Sequence, residues 1–211
     1  VFDDFSTGNR SNLAHLLGNN QLETISGSIL DRQALSGVIS GVDGCFHMAA
    51  AVGVEKILKD PIGSMKTNIH GTENVLELCS DQRIPVLLAS TSEIYGKNSE
   101  GILHEDSDRI VGSPLLSRWT YSDAKALEEA IAHALFLTKQ LKVTTVRLFN
   151  TVGPRQTGRY GMVVPRFIHS AINNEPITIY GDGTQSRVFC HVQDAVRAII
   201  ALAKDDSTIG E

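Results

Sequence analysis

Five short runs of aliphatic and aromatic residues constrain this chain more than any other feature. They are residues 1–4 (VFDD), 22–26 (LETIS), 44–50 (GCFHMAA), 84–90 (IPVLLAS) and 142–150 (KVTTVRLFN). Polar residues hardly alternate with apolar ones inside them. Strands patterned this way are covered on both faces, as in parallel sheets flanked by helices. The intervening segments supply those helices. Residues 60–81 open on Asp60-Pro61, a helix start, and place Ile62, Met65, Ile69, Val75, Leu76 and Cys79 at near-helical spacing. Residues 122–141 (SDAKALEEAIAHALFLTKQL) form a second helical pattern that runs straight into the next apolar run. Strand–helix–strand alternation predicts a doubly wound α/β sheet. The pattern loosens after residue 153. Residues 177–192 read as two short strands around the turn Gly181-Asp182-Gly183, and 194–206 as a closing helix. Residues 1–153 are therefore expected to form the main α/β domain and 154–211 part of a smaller lobe.

Charge and composition narrow the partners. The formal net charge of −5 argues against a nucleic-acid partner, which needs a basic face. The sequence contains no run of about 18 apolar residues, so no membrane span is expected. Its first residues lack the basic and apolar regions of a secretory signal. Three widely spaced cysteines, Cys45, Cys79 and Cys190, suit reduced thiols in a cytoplasmic protein. The seven histidines show no metal-ligand spacing, so no metal is expected.

Doubly wound sheets bind ligands at the carboxyl ends of their strands. The first run ends in Asp3-Asp4. An acidic residue there can accept hydrogen bonds from the ribose hydroxyls of a dinucleotide, or it can simply cap a turn. The glycine-rich turn that should lie about 20 residues upstream is not in the sequence. Either the fold is of another kind, or the first strand and its phosphate loop lie outside this stretch. The run at 84–90 leads into STSEIYG, where Ser90, Thr91, Ser92, Glu93 and Tyr95 cluster. The run at 142–150 leads into LFNTVGPR, with Asn150 as a ligand contact or a local cap. Tyr121 and Lys125, four residues apart, share one helix face. A free tyrosine titrates near pH ~10 and is a poor base at neutral pH. A neighbouring cation would favour its phenolate, making Tyr121 a candidate proton acceptor. The same spacing also suits a solvated lysine beside a half-buried tyrosine.

The motifs STSEIYG, YSDAK, LFNTVGPR and IYGDGTQSRVF, in that order, resemble the extended short-chain dehydrogenase/reductase family. More narrowly they resemble its NAD-dependent nucleotide-sugar epimerases, dehydratases and decarboxylases. The resemblance covers essentially the whole chain. It implies a Rossmann-like sheet whose first strand is absent, the cofactor NAD, a nucleotide-diphosphate sugar as substrate, and a homodimer of the full-length protein. It implies that Tyr121 is the catalytic base, with Lys125 holding the nicotinamide ribose and Thr91 bonding the same sugar hydroxyl, and Glu93 beside them. Asp3, Asp4, Ser28, Ile29, Ala49, Ala50, Asn68, Ser90 and Phe149 would join Tyr121 and Lys125 in contacting the cofactor. Ser92, Asn150, Arg155, Arg159, Tyr180 and Arg187 would contact the substrate, with Arg187 on the diphosphate. Two departures shape the expected reaction. Thr91 is followed by Ser92-Glu93, where the 4,6-dehydratases carry Asp-Glu, so dehydration is not expected. Val52 stands where bacterial 4-epimerases carry a lysine. A 4-epimerase-type reaction through transient oxidation at sugar C4 is the expected activity. A UDP-glucuronate decarboxylase sharing that first step is the alternative, and a non-catalytic NAD(H)-binding sensor or scaffold is a rival of another class. The two ends resemble the family's second strand and the lead-in to a later one. The stretch thus reads as an internal fragment, expected to be inactive alone.

Overall fold

The computed structural model describes residues 1–98, 101–158 and 162–211. Seven strands and six α-helices are present among them: β1 (Phe2–Asp3), β2 (Ile25–Ser26), α1 (Arg32–Ile39), β3 (Cys45–His47), α2 (Val54–Lys59), α3 (Pro61–Asp81), β4 (Val86–Thr91), α4 (Thr120–Lys139), β5 (Val143–Leu148), β6 (Asn150–Val152), α5 (Val163–Ile172), β7 (Phe189–His191) and α6 (Val192–Leu202). Every strand pairing is parallel. β1 pairs with β2, β3 with β4 and β4 with β5, and β6 with β7. The architecture is the parallel α/β arrangement that the apolar runs predict and the Rossmann-like fold that the resemblance implies.

Local sequence sets the long helices. Asp60 caps α3 by accepting a hydrogen bond from the Gly63 amide at 2.9 Å, and Pro61 fills the first helical position, where no amide is needed. α4 ends where Gln140 turns left-handed (φ 57°), a stop that lets the chain reverse directly into β5. α3 and α4 pack side by side. The core gathers Ile29, Leu35, Ile39, Val75, Leu76, Cys79, Val86, Leu88, Ala132, Leu141 and Val143. Leu76 and Leu88 are wholly buried, and each such burial stabilises by roughly 2 kcal/mol. Gly71 admits the Ile29 side chain against α3, since a Cβ there would sit 2.4 Å from Ile29 Cδ1.

One expected element is not formed. Residues 177–180 are not a strand, and the stretch 171–189 is exposed throughout. Gly181 and Gly183 do make the turn, both with positive φ. The strand that follows, β7, takes a distant partner instead, with Phe189 in register with Asn150. Among the described residues no helix is long and apolar enough to cross a membrane.

Candidate active site

The site is built on the carboxyl end of β4. Leu87 and Leu88 hold the strand in the interior, and its last two residues, Ser90 and Thr91, are buried hydroxyls. Thr91 is extended (φ −148°, ψ 149°), and its Oγ1 accepts a hydrogen bond from the Glu93 amide at 3.2 Å. That bond leaves the Thr91 proton free for donation. Among the described residues Ser90 Oγ has no hydrogen-bond partner although it is buried.

The first turn of α4 is fastened to this strand end. Buried Trp119 precedes it, and Ser122 Oγ donates to the Glu93 carbonyl at 2.7 Å. Tyr121 is thereby held half-buried with the Thr91 hydroxyl beside it. One turn on, Lys125 Nζ donates to the Ala89 carbonyl at 2.9 Å and to Glu128 Oε2 at 2.8 Å. The Lys125 and Glu128 side chains are 3% and 1% exposed. Thr91, Tyr121 and Lys125 thus lie around one strand end.

The electrostatics run against the expectation for Tyr121. Its phenol is pushed up, well above the ordinary tyrosine range. Burial is the largest cause, the Glu128 and Glu93 carboxylates follow, and only the Thr91 hydroxyl pulls downward. A cation one turn away was expected to favour the phenolate. Lys125 instead gives its charge to Glu128. The Glu128 carboxyl is itself raised by burial, against the downward pull of Lys125.

Beneath this pair lies His47 of β3. It is buried, and its Nε2 meets Thr72 Oγ1 of α3 at 2.8 Å. Burial first, then the charge of Lys125, bring its pKa down to about 3. The ring is neutral in the fold but titrates near ~6.5 when unfolded. A folded pKa below the unfolded value stabilises above pH ~6.5, and that stability is lost as pH falls through the window down to the folded value. We expect His47 to contribute a loss of about 1.4 kcal/mol per pH unit below pH ~6. His47→Gln, which keeps a partner for Thr72, should flatten the acid limb of stability in urea melts between pH 4 and 6. Parallel limbs in the two proteins would refute this.

The remaining expected residues fall into two groups. Several lie at or just past the carboxyl ends of strands. Asp3 ends β1 and accepts from the Phe5 amide at 2.6 Å, while exposed Asp4 accepts from the Ser6 amide. Ser28 Oγ accepts from the Leu30 amide after β2. Ala49 and Ala50 follow β3, and Phe149 follows β5. Two others are turned inward. Ile29 packs in the core. Asn68 is 2% exposed, and its amide both accepts from the Ala51 N–H at 2.6 Å and donates to the Ala51 carbonyl at 3.3 Å. Its side chain therefore fixes the loop carrying Ala49 and Ala50. Four of the described substrate candidates bond within the chain. Asn150 Nδ2 donates to the Val188 carbonyl, Arg155 to the Asn12 carbonyl, Arg187 to the adjacent Ser186 carbonyl, and the Tyr180 hydroxyl accepts from Arg166. Ser92 is half-buried and Glu93 exposed. Arg159 lies outside the described residues.

Sequence reasoning missed Glu128, His47, Thr72 and the Arg147–Glu129 ion pair at 2.8 Å. The i,i+3 spacing of Lys125 and Glu128 was the available signal.

Known proteins share this fold. The chain is 39% identical over its whole length to a UDP-N-acetyl-alpha-D-glucosaminuronate decarboxylase of Bacillus cytotoxicus, and spans 64% of that protein. It superposes on the UDP-glucuronic acid 4-epimerase of Bacillus cereus, solved with UDP-glucuronic acid and NAD, with a TM-score of 0.87 at 29% identity, over 99% of this chain and 65% of that one. It superposes equally on a dTDP-glucose 4,6-dehydratase of Streptomyces venezuelae, solved with NAD bound, with a TM-score of 0.89 at 29% identity, over 100% of this chain and 63% of that one. The family's cofactor is NAD, and the unpartnered, buried Ser90 hydroxyl at the end of β4 fits a polar ligand there. Residues 1–211 match the model of the NAD dependent epimerase/dehydratase family, and the chain belongs to that family.

Proposed function

We propose that this chain carries the catalytic centre of an enzyme that transiently oxidises C4 of a nucleotide-diphosphate sugar, with 4-epimerisation as the outcome. The convergence of Thr91, Tyr121 and Lys125 on the carboxyl end of β4 carries the reading. A binding module or scaffold needs no buried phenol beside a threonine hydroxyl and a lysine. NAD, when bound, supplies the hydride acceptor. Tyr121 takes the proton of the sugar 4-hydroxyl, the proton whose removal lets C4 become a ketone. Thr91, its lone pair engaged by the Glu93 amide, donates its own proton to that oxygen pair and stabilises the phenolate. Lys125, Ser90 and the Asp3 carboxylate would hold the cofactor's sugar hydroxyls. Arg187, exposed and on the segment leading into β7, would pair with the diphosphate. The substrate we favour is a UDP-hexuronic acid. The B. cytotoxicus relative is a glucosaminuronate decarboxylase, and the B. cereus neighbour holds UDP-glucuronic acid.

That relative also favours a second reading. A ketone at C4 makes the C6 carboxylate a β-keto acid, which releases carbon dioxide readily. The two readings separate by product. We expect the full-length protein, incubated with NAD and UDP-glucuronic acid or its 2-acetamido analogue, to yield a product of unchanged mass with an inverted C4 proton in the NMR spectrum. A UDP-pentose with released carbon dioxide would establish the second reading. No product from either acid, nor from neutral UDP-hexoses, would overturn both.

A further inference from the structure

Tyr121, Lys125 and Glu128 stand at i, i+4 and i+7 of α4, one stripe along a single helix face. The stripe points inward. Lys125 and Glu128 are buried, and β4 meets them through the Ala89 carbonyl. Taking two charges out of water is unfavourable, and a buried ion pair is often no more stable than apolar residues of the same bulk. This pair is also incompletely satisfied, since Glu128 Oε1 is buried without a hydrogen-bond partner among the described residues. Stability alone does not account for a carboxylate here.

We propose that Glu128 is a positioning residue for the reaction: by holding the Lys125 ammonium it withholds that charge from Tyr121 and governs when the phenol gives up its proton. The proposal rests on the reading of Tyr121 as the base. The groups packed around the stripe support it. From β3, His47 is neutral, its pKa brought down to about 3, so it supplies no charge. From α3, Thr72 is uncharged and already bonded to His47. On α4 itself, Glu129 is turned to Arg147, which binds it through Nε at 3.1 Å and Nη2 at 2.8 Å. From the turn after β4, Glu93 faces Tyr121 but is exposed. Glu128 is therefore the buried negative charge acting on the phenol. Burial, the larger cause, and this charge together hold the resting tyrosine protonated. When a ligand hydroxyl draws Lys125 toward itself, the ammonium and carboxylate separate, and the tyrosine gains the cation as it takes up its catalytic role.

The test reads the phenol directly, without turnover. The full-length protein is titrated with alkali while tyrosinate absorbance is followed, and the signal lost in Tyr121→Phe identifies Tyr121 among the tyrosines. In Glu128→Gln, which keeps the shape and an acceptor for Lys125, Tyr121 should ionise at least about one pH unit lower than in the wild type. The alkaline-rising limb of kcat should move the same way. Glu128→Asp keeps the charge and should titrate nearer the wild type than the Gln variant. Identical Tyr121 titrations in wild type and Glu128→Gln, or an Asp variant displaced as far as Gln, would overturn the proposal. Should Glu128→Gln not fold, carboxyl-carbon NMR of the wild type decides: Glu128 should be ionised at pH 8, and a protonated carboxyl there would leave no charge to act and overturn it. A Tyr121→Phe enzyme with normal turnover would instead defeat the base assignment, while leaving the titrations intact.

Discussion

Tyr121→Phe should lower kcat of the full-length enzyme by at least about 10²-fold, the usual contribution of a positioned general base, and leave substrate affinity nearly unchanged. The substitution removes one oxygen and keeps the ring that fills the half-buried space at the start of α4. Nothing structural depends on the hydroxyl, because Ser122 fastens this turn to Glu93 independently. The loss therefore lands on proton transfer. Steady-state kinetics with the preferred UDP-sugar, compared with substrate titration into the variant, checks both halves. A variant turning over within a few-fold of the wild type would remove Tyr121 from the mechanism. A variant that loses binding as much as turnover would recast it as a substrate contact. The raised phenol adds a pH signature. Because burial and the Glu128 and Glu93 carboxylates oppose its ionisation, activity in the wild type should still be rising with pH in the mildly alkaline range.

How much of this was legible in the sequence follows from where each interaction lies along the chain. The strands were readable because both-face burial writes itself into local composition: β3 and β5 form inside the apolar runs 44–50 and 142–150, and β4 begins inside 84–90 and ends one residue past it. Thr91, Tyr121 and Lys125 were readable because a strand end and an i,i+4 pair are local features. Residues 177–180 misled because Ile177, Ile179 and Tyr180 have strand propensity, yet all three are exposed and β7 pairs with β6 across a long sequence gap. Propensity yields when the partner strand is elsewhere. Glu128 was invisible for a different reason. A glutamate three residues after a lysine on a helix reads as a solvated surface pair. Only the packing of α3 against α4, with Thr72 and His47 beneath, makes it a buried one. The same holds for Arg147, which sits within β5 and finds Glu129 on α4 and the face of the Tyr95 ring, 5.0 Å from its centroid. Electrostatic environment is a property of assembled elements, so the sign of the Tyr121 shift was the part least available from spacing.

Lys125→Met should destabilise the fold by about 3–5 kcal/mol, quite apart from its effect on catalysis, because it strands the Glu128 carboxylate in the interior without its cation. The methionine fills the space of the lysine stem, so no cavity adds to the loss. The wild-type pair already leaves Glu128 Oε1 unbonded among the described residues, and without Lys125 Nζ at 2.8 Å the second oxygen loses its partner as well. The double variant Lys125→Met/Glu128→Leu should recover most of the loss, since it removes the orphaned charge and substitutes apolar bulk. The pH dependence has a definite sign. Removing Lys125 removes the influence that most lowers the Glu128 pKa, leaving the upward push of burial opposed only by the Thr72 hydroxyl. A carboxyl whose folded pKa exceeds its unfolded value of ~4.3 binds more protons when folded, so its penalty is absent at low pH and grows as pH rises through the folded pKa. Lys125→Met should therefore be close to wild-type stability near pH 5 and furthest from it at pH 8. Urea melts of the wild type, the single and the double variant at both pH values measure all three quantities. A single variant losing less than about 1 kcal/mol, as an exposed ion pair would, or a double variant no better than the single, would show that the Lys125–Glu128 pair is not the buried electrostatic unit on which the state of Tyr121 depends.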